Sequence, residues 1–349
     1  METAHLDNLR AQIQHNCHIA DARHAGDYTL CVYLLKMREF YRWEHGRGFA
    51  EELPGEAVGR WLREREALWE SLEEEEYRPL ELDGTLLEPF DSEAVNALLL
   101  PAGLVYSGGL GCKCRPHFFL GELLEERRTD EYRLLVAGRE LARDLTAPPA
   151  MSLGDTIFIR RESLRRMLWE RTEEARWSPG ETPMKRAIAG YGFEQDVEQA
   201  LEQMTEDMSE QLVAHEIGEI RAGHALGQAW PELVASLPRS KSEILLRAIR
   251  DHLADALSTL PDLLERGLPP AETHFYMANL NGMRRQLFPS LVSAYERWLQ
   301  DGDARPMREA VAPAAEHWLE SAQSALDAWH TGGHDGLKAI QDTLAERTL

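Results

Sequence analysis

Two groups of histidines stand beside carboxylates at helical spacing in this 349-residue sequence, which carries 13 His in all. In the segment HEIGEIRAGH, His215 and Glu219 are four residues apart and so project from one face of a helix. That is the geometry by which one helix offers two ligands to a metal ion, a nitrogen from His and an oxygen from Glu. Glu216, next to them, is the candidate general base, because a carboxylate beside a metal-bound water can take its proton. The pattern departs from the zinc-peptidase motif H-E-x-x-H in having Glu219 where the second His belongs, which argues against a peptidase. His252 with Asp255, His274, or the pair Asp327 and His330, on later segments with helical periodicity, could complete the site, with His252 or His274 the expected further ligand. The chemistry implied is metal-dependent oxidation or hydrolysis, with Fe, Mn or Zn as the divalent ion.

A second candidate site lies in HNCHIADARH. His18, Asp21 and His24 follow one another at intervals of three, so an aspartate and a histidine project side by side and could ligate a metal. The competing reading is structural: His24 sits near a helix C-terminus, where the dipole favours its cationic form, and pairs with Asp21. Cys112, Cys114 and His117 follow a glycine-rich turn. Structural zinc sites space their cysteines by two to four residues and need two further ligands, so this turn is read as structural. Gly218, Gly223 and Gly227 share a helix with His215, and each costs about 1 kcal/mol relative to Ala. Close helix packing is the expected compensation, ahead of a ligand approaching the backbone. Asn279, Asn281, Arg284 and Arg285 could grip an anionic group bidentately. Neutralisation of neighbouring acidic faces is the favoured role, since the chain has 60 acidic against 38 basic side chains.

The elements that must position these residues are read from periodicity. Leu6, Leu9, Ile13, Cys17 and Ala20 recur at three and four and predict a helix to near His24. Gly26 and Asp27 make a helical hairpin. The second helix, YTLCVYLLKMREFYRWEH, is apolar on nearly all sides up to Leu35 and is expected to bury its first half. A third helix is predicted over 55–76 and a fourth from the cap Asp91 to Leu100. The segment near 103–119 reads as a short β-hairpin, with helix resuming through GELLEERR and over 131–145. TIFIRRESLRRMLWERTEEARW reads as a brief extended piece feeding a helix. SPGETP, residues 178–183, marks the domain boundary. Beyond it, helices near 191–229, 241–266, 271–300 and 304–330, joined by short Pro-rich connections, describe an antiparallel bundle. The expected fold class is therefore mainly α and effectively all-α. It has an N-terminal helical domain over 1–177 with at most that hairpin, and a C-terminal helix bundle over 184–349.

Composition limits the partners. The formal charge of −22 and the lack of a dense basic run exclude nucleic acid and acidic membrane surfaces. Hydrophobic residues at 43% supply a real core. The start lacks a signal-peptide pattern, no stretch is long and apolar enough for a membrane span, and four Cys are too few for a disulfide scaffold. A cytoplasmic protein is expected, binding a small molecule or a partner protein, with a homo-oligomer left open.

The segments NCHIADARHAGDYTLCVYLLKMREFYRWEHG, RPHFFLGEL, PPAMSLGDTIFIRRESLRRMLWE, HEIGEIRAG and MANLNGMRRQLFP resemble a family of bacterial cytosolic proteins, mostly proteobacterial, that carries no assigned activity. The resemblance implies a bacterial origin and no mechanism. Two functions remain in view: a metal-dependent enzyme in the helix bundle, and a non-catalytic scaffold or regulatory protein binding partner helices. The second predicts a large exposed apolar patch and no convergent His/carboxylate cluster.

Overall fold

A computed structural model describes residues 3–110, 115–237 and 240–349. Cys112 and Cys114 lie outside the described residues. The chain divides into two compact units, Met1–Glu170 with Phe193–Thr205, and Arg171–Gly192 with Glu206–Leu349.

The first unit opens with α1 (Thr3–His24), α2 (Leu30–Glu44) and α3 (Gly55–Leu72). A small hairpin of β1 (Leu80–Leu82) and β2 (Thr85–Leu87) precedes α4 (Ser92–Leu99), whose N-cap Asp91 accepts the Ala94 amide at 3.0 Å. Then come β3 (Leu104–Leu110), β4 (Pro116–Arg128), β5 (Arg133–Arg143), β6 (Ala150–Leu153) and β7 (Thr156–Arg160). They form one five-stranded sheet in the order β3-β4-β5-β7-β6, with β5 and β7 parallel and every other pair antiparallel. Register shifts between Leu120 and Glu125 put bulges into β4, which bend and twist it. From β7 the chain enters α5 (Arg161–Trp177) without a loop.

This sheet overturns the all-α expectation and the limit of one short hairpin. GELLEERR is the second half of β4, and most of 131–145 is β5. Both faces of β5 are largely covered, so its burial lacks the alternation by which a half-buried strand is recognised. Glu and Arg residues of the two segments pair across strands: Arg139 with Glu122 and Arg133 with Glu126, each at 2.7 Å. The turn between them is closed by Thr129, whose hydroxyl accepts the Glu131 and Tyr132 amides.

The start of α2 is a second correction. Leu30, Val32, Leu34 and Leu35 are exposed, while the Tyr33 hydroxyl between them meets Glu66 of α3 at 3.0 Å. The rest of α2 is buried through Met37, Phe40 and Tyr41, which pack with Trp61 and Trp69 of α3. α1 lies on the sheet, with Leu9, Ile13 and Cys17 against Phe118, Leu120 and Ala142.

The second unit is helical: α6 (Pro183–Ile188), α7 (Val197–Leu226, which starts in the first unit), α8 (Ala229–Ser236), α9 (Lys241–Ala254), a π-turn (Asp255–Thr259), α10 (Leu260–Glu265), α11 (Pro270–Asn279), α12 (Gly282–Leu287), α13 (Pro289–Asp301), α14 (Arg305–Val311) and α15 (Ala314–Glu346). One core joins Ile249, Leu253, Phe288, Leu291 and Trp318. α15 breaks at Gly333, where φ is 55°. A Cβ on Gly218 would stand 2.1 Å from the Ala254 carbonyl oxygen, so only glycine lets α7 lie this close to the end of α9. No helix among the described residues is long and apolar enough to cross a membrane.

Candidate functional site

The residues expected to form a helix-bundle metal site take separate places. His215 Nδ1 meets Asp255 Oδ1 at 2.9 Å, and Glu219 pairs with Arg250 at 2.6 Å. Glu216 is buried on α7. His252 Nε2 meets the Arg284 carbonyl oxygen at 2.9 Å while its ring stacks on Trp318, and burial followed by Arg284 lowers its pKa to about 4. His274 Nδ1 meets the Tyr295 hydroxyl at 2.9 Å, and burial lowers its pKa. In the first unit, His18 faces α3. There its Nε2 lies 2.6 Å from Arg65 and its Nδ1 3.3 Å from the Trp69 indole nitrogen, and burial with Arg65 pushes its pKa down to about 3. Asp21 Oδ1 accepts the Leu145 amide at 2.8 Å, and burial with Asp144 raises its pKa well above the usual carboxylate range. His24 lies 3.8 Å from Asp27, not against Asp21, and burial with Arg115 lowers its pKa. Among the described residues no three His, Cys, Asp or Glu side chains gather as a metal ion would require, which corrects the metal-binding expectation.

What the second unit builds instead is a carboxylate held by four donors. Asp255 Oδ1 receives His215 and the Thr259 hydroxyl at 3.1 Å, and Oδ2 receives the Tyr276 hydroxyl at 3.0 Å and the Arg284 guanidinium. Burial would raise the Asp255 pKa, but Arg284 and His215 hold it well below the usual range. Burial alone would lower His215; the hydrogen bond and charge of Asp255 prevail and raise it to about 10. A raised histidine stabilises the fold fully below its unfolded value of about 6.5 and loses that contribution as pH climbs to the folded value. Chemical denaturation should therefore show stability of the second unit falling by about 2–4 kcal/mol between pH 6.5 and about 10. A His215→Gln variant, already less stable at neutral pH, should lack that slope; a slope unchanged by the substitution would refute the assignment.

A cavity of about 510 Å³ lies within the first unit, between α2, the loop after it, β4, β5, α5 and the start of α7. It falls in the size range of small-molecule sites. Seven arginines line it (Arg42, Arg47, Arg139, Arg143, Arg161, Arg165 and Arg166) with four glutamates, a local positive excess in a chain of charge −22. Arg143 is fixed from behind. Gln14 of α1 accepts its backbone N–H at 3.1 Å and donates to its carbonyl at 3.0 Å, and its guanidinium packs over Phe40 and Trp43. Its one ion-pair neighbour among the described residues, Glu140, is 3.8 Å away, and Glu140 is already bound by Arg160 at 2.9 Å and Ser163 at 2.5 Å. Arg166 donates to the Ala147 carbonyl and Ser163 hydroxyl, both at 3.3 Å. Arg143 and Arg166 are both buried, and each keeps an N–H, Arg143 Nε and Arg166 Nη1, with no hydrogen-bond partner among the described residues.

Glu162 is one of the glutamates lining this cavity. Its Oε2 accepts the Glu140 amide at 2.5 Å, and burial followed by the Glu140 charge raises its pKa to about 7. None of these residues was singled out from the sequence. The signal was present in RRESLRR with Arg139 and Arg143: six arginines in 28 positions of an acidic chain.

A family model described as the N-terminal domain of a family of unknown function (DUF6866) matches residues 8–160, and the C-terminal domain model of the same family matches residues 165–347. No curated protein and no solved structure matches the chain.

Proposed function

The chain belongs to the DUF6866 family of unknown function, and from the geometry of its first unit we propose that it binds a small organic molecule bearing a carboxylate or phosphate in the arginine-lined cavity. One observation carries this reading: two buried arginines, Arg143 and Arg166, line the cavity, and each keeps an enclosed N–H that has no hydrogen-bond partner among the described residues. A buried charged donor without an acceptor costs free energy, and an anion placed between them recovers it through charge-assisted, directional hydrogen bonds. Guanidinium suits this role better than ammonium because its planar fork matches both anions. The protein is read as a cytoplasmic ligand-binding protein of bacterial origin.

Isothermal titration of the full chain with a panel of mono- and dicarboxylates and phosphate monoesters tests the reading. At least one class should bind, and the Arg143→Gln/Arg166→Gln variant should bind it about tenfold to a hundredfold more weakly, as loss of charged hydrogen bonds worth about 1.5–3 kcal/mol requires. Equal binding by the folded variant, or no binding by either protein, overturns it.

A further inference from the structure

We infer that the ligand of this cavity is a zwitterion, with its anionic group on Arg143 and Arg166 and a protonated amine on Glu162. The inference rests on the anion reading above and names the ligand class within it.

The cavity's carboxylates differ in what they have left to offer. Glu39 is engaged by Arg38 and Arg42, Glu198 by Arg165 and the Phe49 amide, and Glu202 by Arg161 and Arg165. Glu162 accepts one backbone N–H through Oε2, and its Oε1 has no hydrogen-bond or ion partner among the described residues. Arg143 and Arg166, each with a donor unpaired among the described residues, and Glu162, with an acceptor left over, thus line one cavity. Trp43, Phe49 and Leu124 also line it and supply apolar surface for the body of a ligand.

A ligand anionic at one end and cationic at the other forms both new pairs, and its amine gives Glu162 a counter-charge that a simple anion does not supply. With Glu162 near half-protonated at neutral pH, the two ligand types move protons in opposite directions. An ammonium beside Glu162 favours the ionised form and expels a proton; a lone anion favours the neutral form and draws one in.

The test uses the full chain and ω-amino carboxylates from β-alanine to ε-aminocaproate, each against the carboxylate lacking the amine. Titrations at pH 7 in two buffers of different ionisation enthalpy read affinity and proton exchange together. At the best-matched length the amino compound should bind about tenfold tighter than its partner and release protons, whereas the plain carboxylate takes them up. Glu162→Gln should bring the amino compound to the affinity of the plain one and abolish the release. Glu162→Asp, with a shorter reach, should move the preference to a longer ligand, and it stands in should the Gln variant fold poorly. Equal affinity of amino and plain carboxylates overturns the zwitterion inference while leaving the anion reading intact. Binding of neither series overturns both.

Discussion

Asp255→Asn is expected to lower the stability of the second unit by about 3–5 kcal/mol, the cost of removing one partner from a buried ion pair. Asn matches Asp in size, so no cavity forms and the effect isolates charge and hydrogen bonding. Asn can still accept from His215 and Thr259 through one oxygen. Its amide would then face the Arg284 guanidinium, donor against donor, with only the Tyr276 hydroxyl oxygen able to turn and accept from it. His215 would lose the interaction that raises it and become neutral near pH 7, and Arg284 would lose the carboxylate it is hydrogen-bonded to. Chemical denaturation at pH 7 measures the loss, and the alkaline slope assigned to His215 should vanish in the same variant. A change below about 1 kcal/mol would show that the network carries little of the unit's stability. An apolar replacement of both partners, Asp255→Leu with Arg284→Met, should cost less than Asp255→Asn alone, because no unpaired charge is left inside.

This network explains why its role was only half legible in the sequence. The close approach of α7 was signalled by Gly218, whose expense in a helix called for tight packing, and it packs on Ala254. Spacing within α7 paired His215 with Glu219 as co-ligands, yet each binds a residue of the α9 segment instead, Asp255 and Arg250. A hydrogen bond spanning 40 positions leaves no periodic trace, and the π-turn that places Asp255 has no propensity signal comparable to a cap or a proline. The same limit applies to the sheet. α1, α3 and the Asp91 cap follow from local spacing, whereas β4 and β5 are strands because each is paired along its length with neighbours far away in sequence. Tertiary pairing of this kind overrides local charge patterns. Of the site itself, the sequence spelled out the arginines but not their convergence, since Arg42, Arg143 and Arg166 come from three elements.

Glu140→Gln should cost the first unit about 3–5 kcal/mol by the same principle, and its consequences reach the cavity. Glu140 is fully enclosed, with Oε1 on Arg160 Nε and the Ser163 hydroxyl and Oε2 turned toward Arg143. Arg160 is equally buried, its guanidinium over the Phe119 ring, with Nη1 and Nη2 lacking partners among the described residues. Neutralising Glu140 therefore strips the counter-charge from two buried guanidinium groups at once. Glu162 should answer in the opposite sense. The Glu140 charge is the second cause, after burial, of its raised pKa, so the variant should lower that pKa below about 7 and leave Glu162 ionised at neutral pH. Isotope-edited NMR of the glutamate Cδ resonances reads this shift, and denaturation reads the stability. If Arg143 and Arg166 bind the ligand's anion, the destabilised variant should also regain more stability from a bound carboxylate than the parent protein does, because the ligand supplies the charge that Glu140 has lost. A Glu140→Gln protein as stable as the parent, or one that ligand stabilises no more than the parent, would show that the guanidinium cluster is neutralised within the fold and needs no anion.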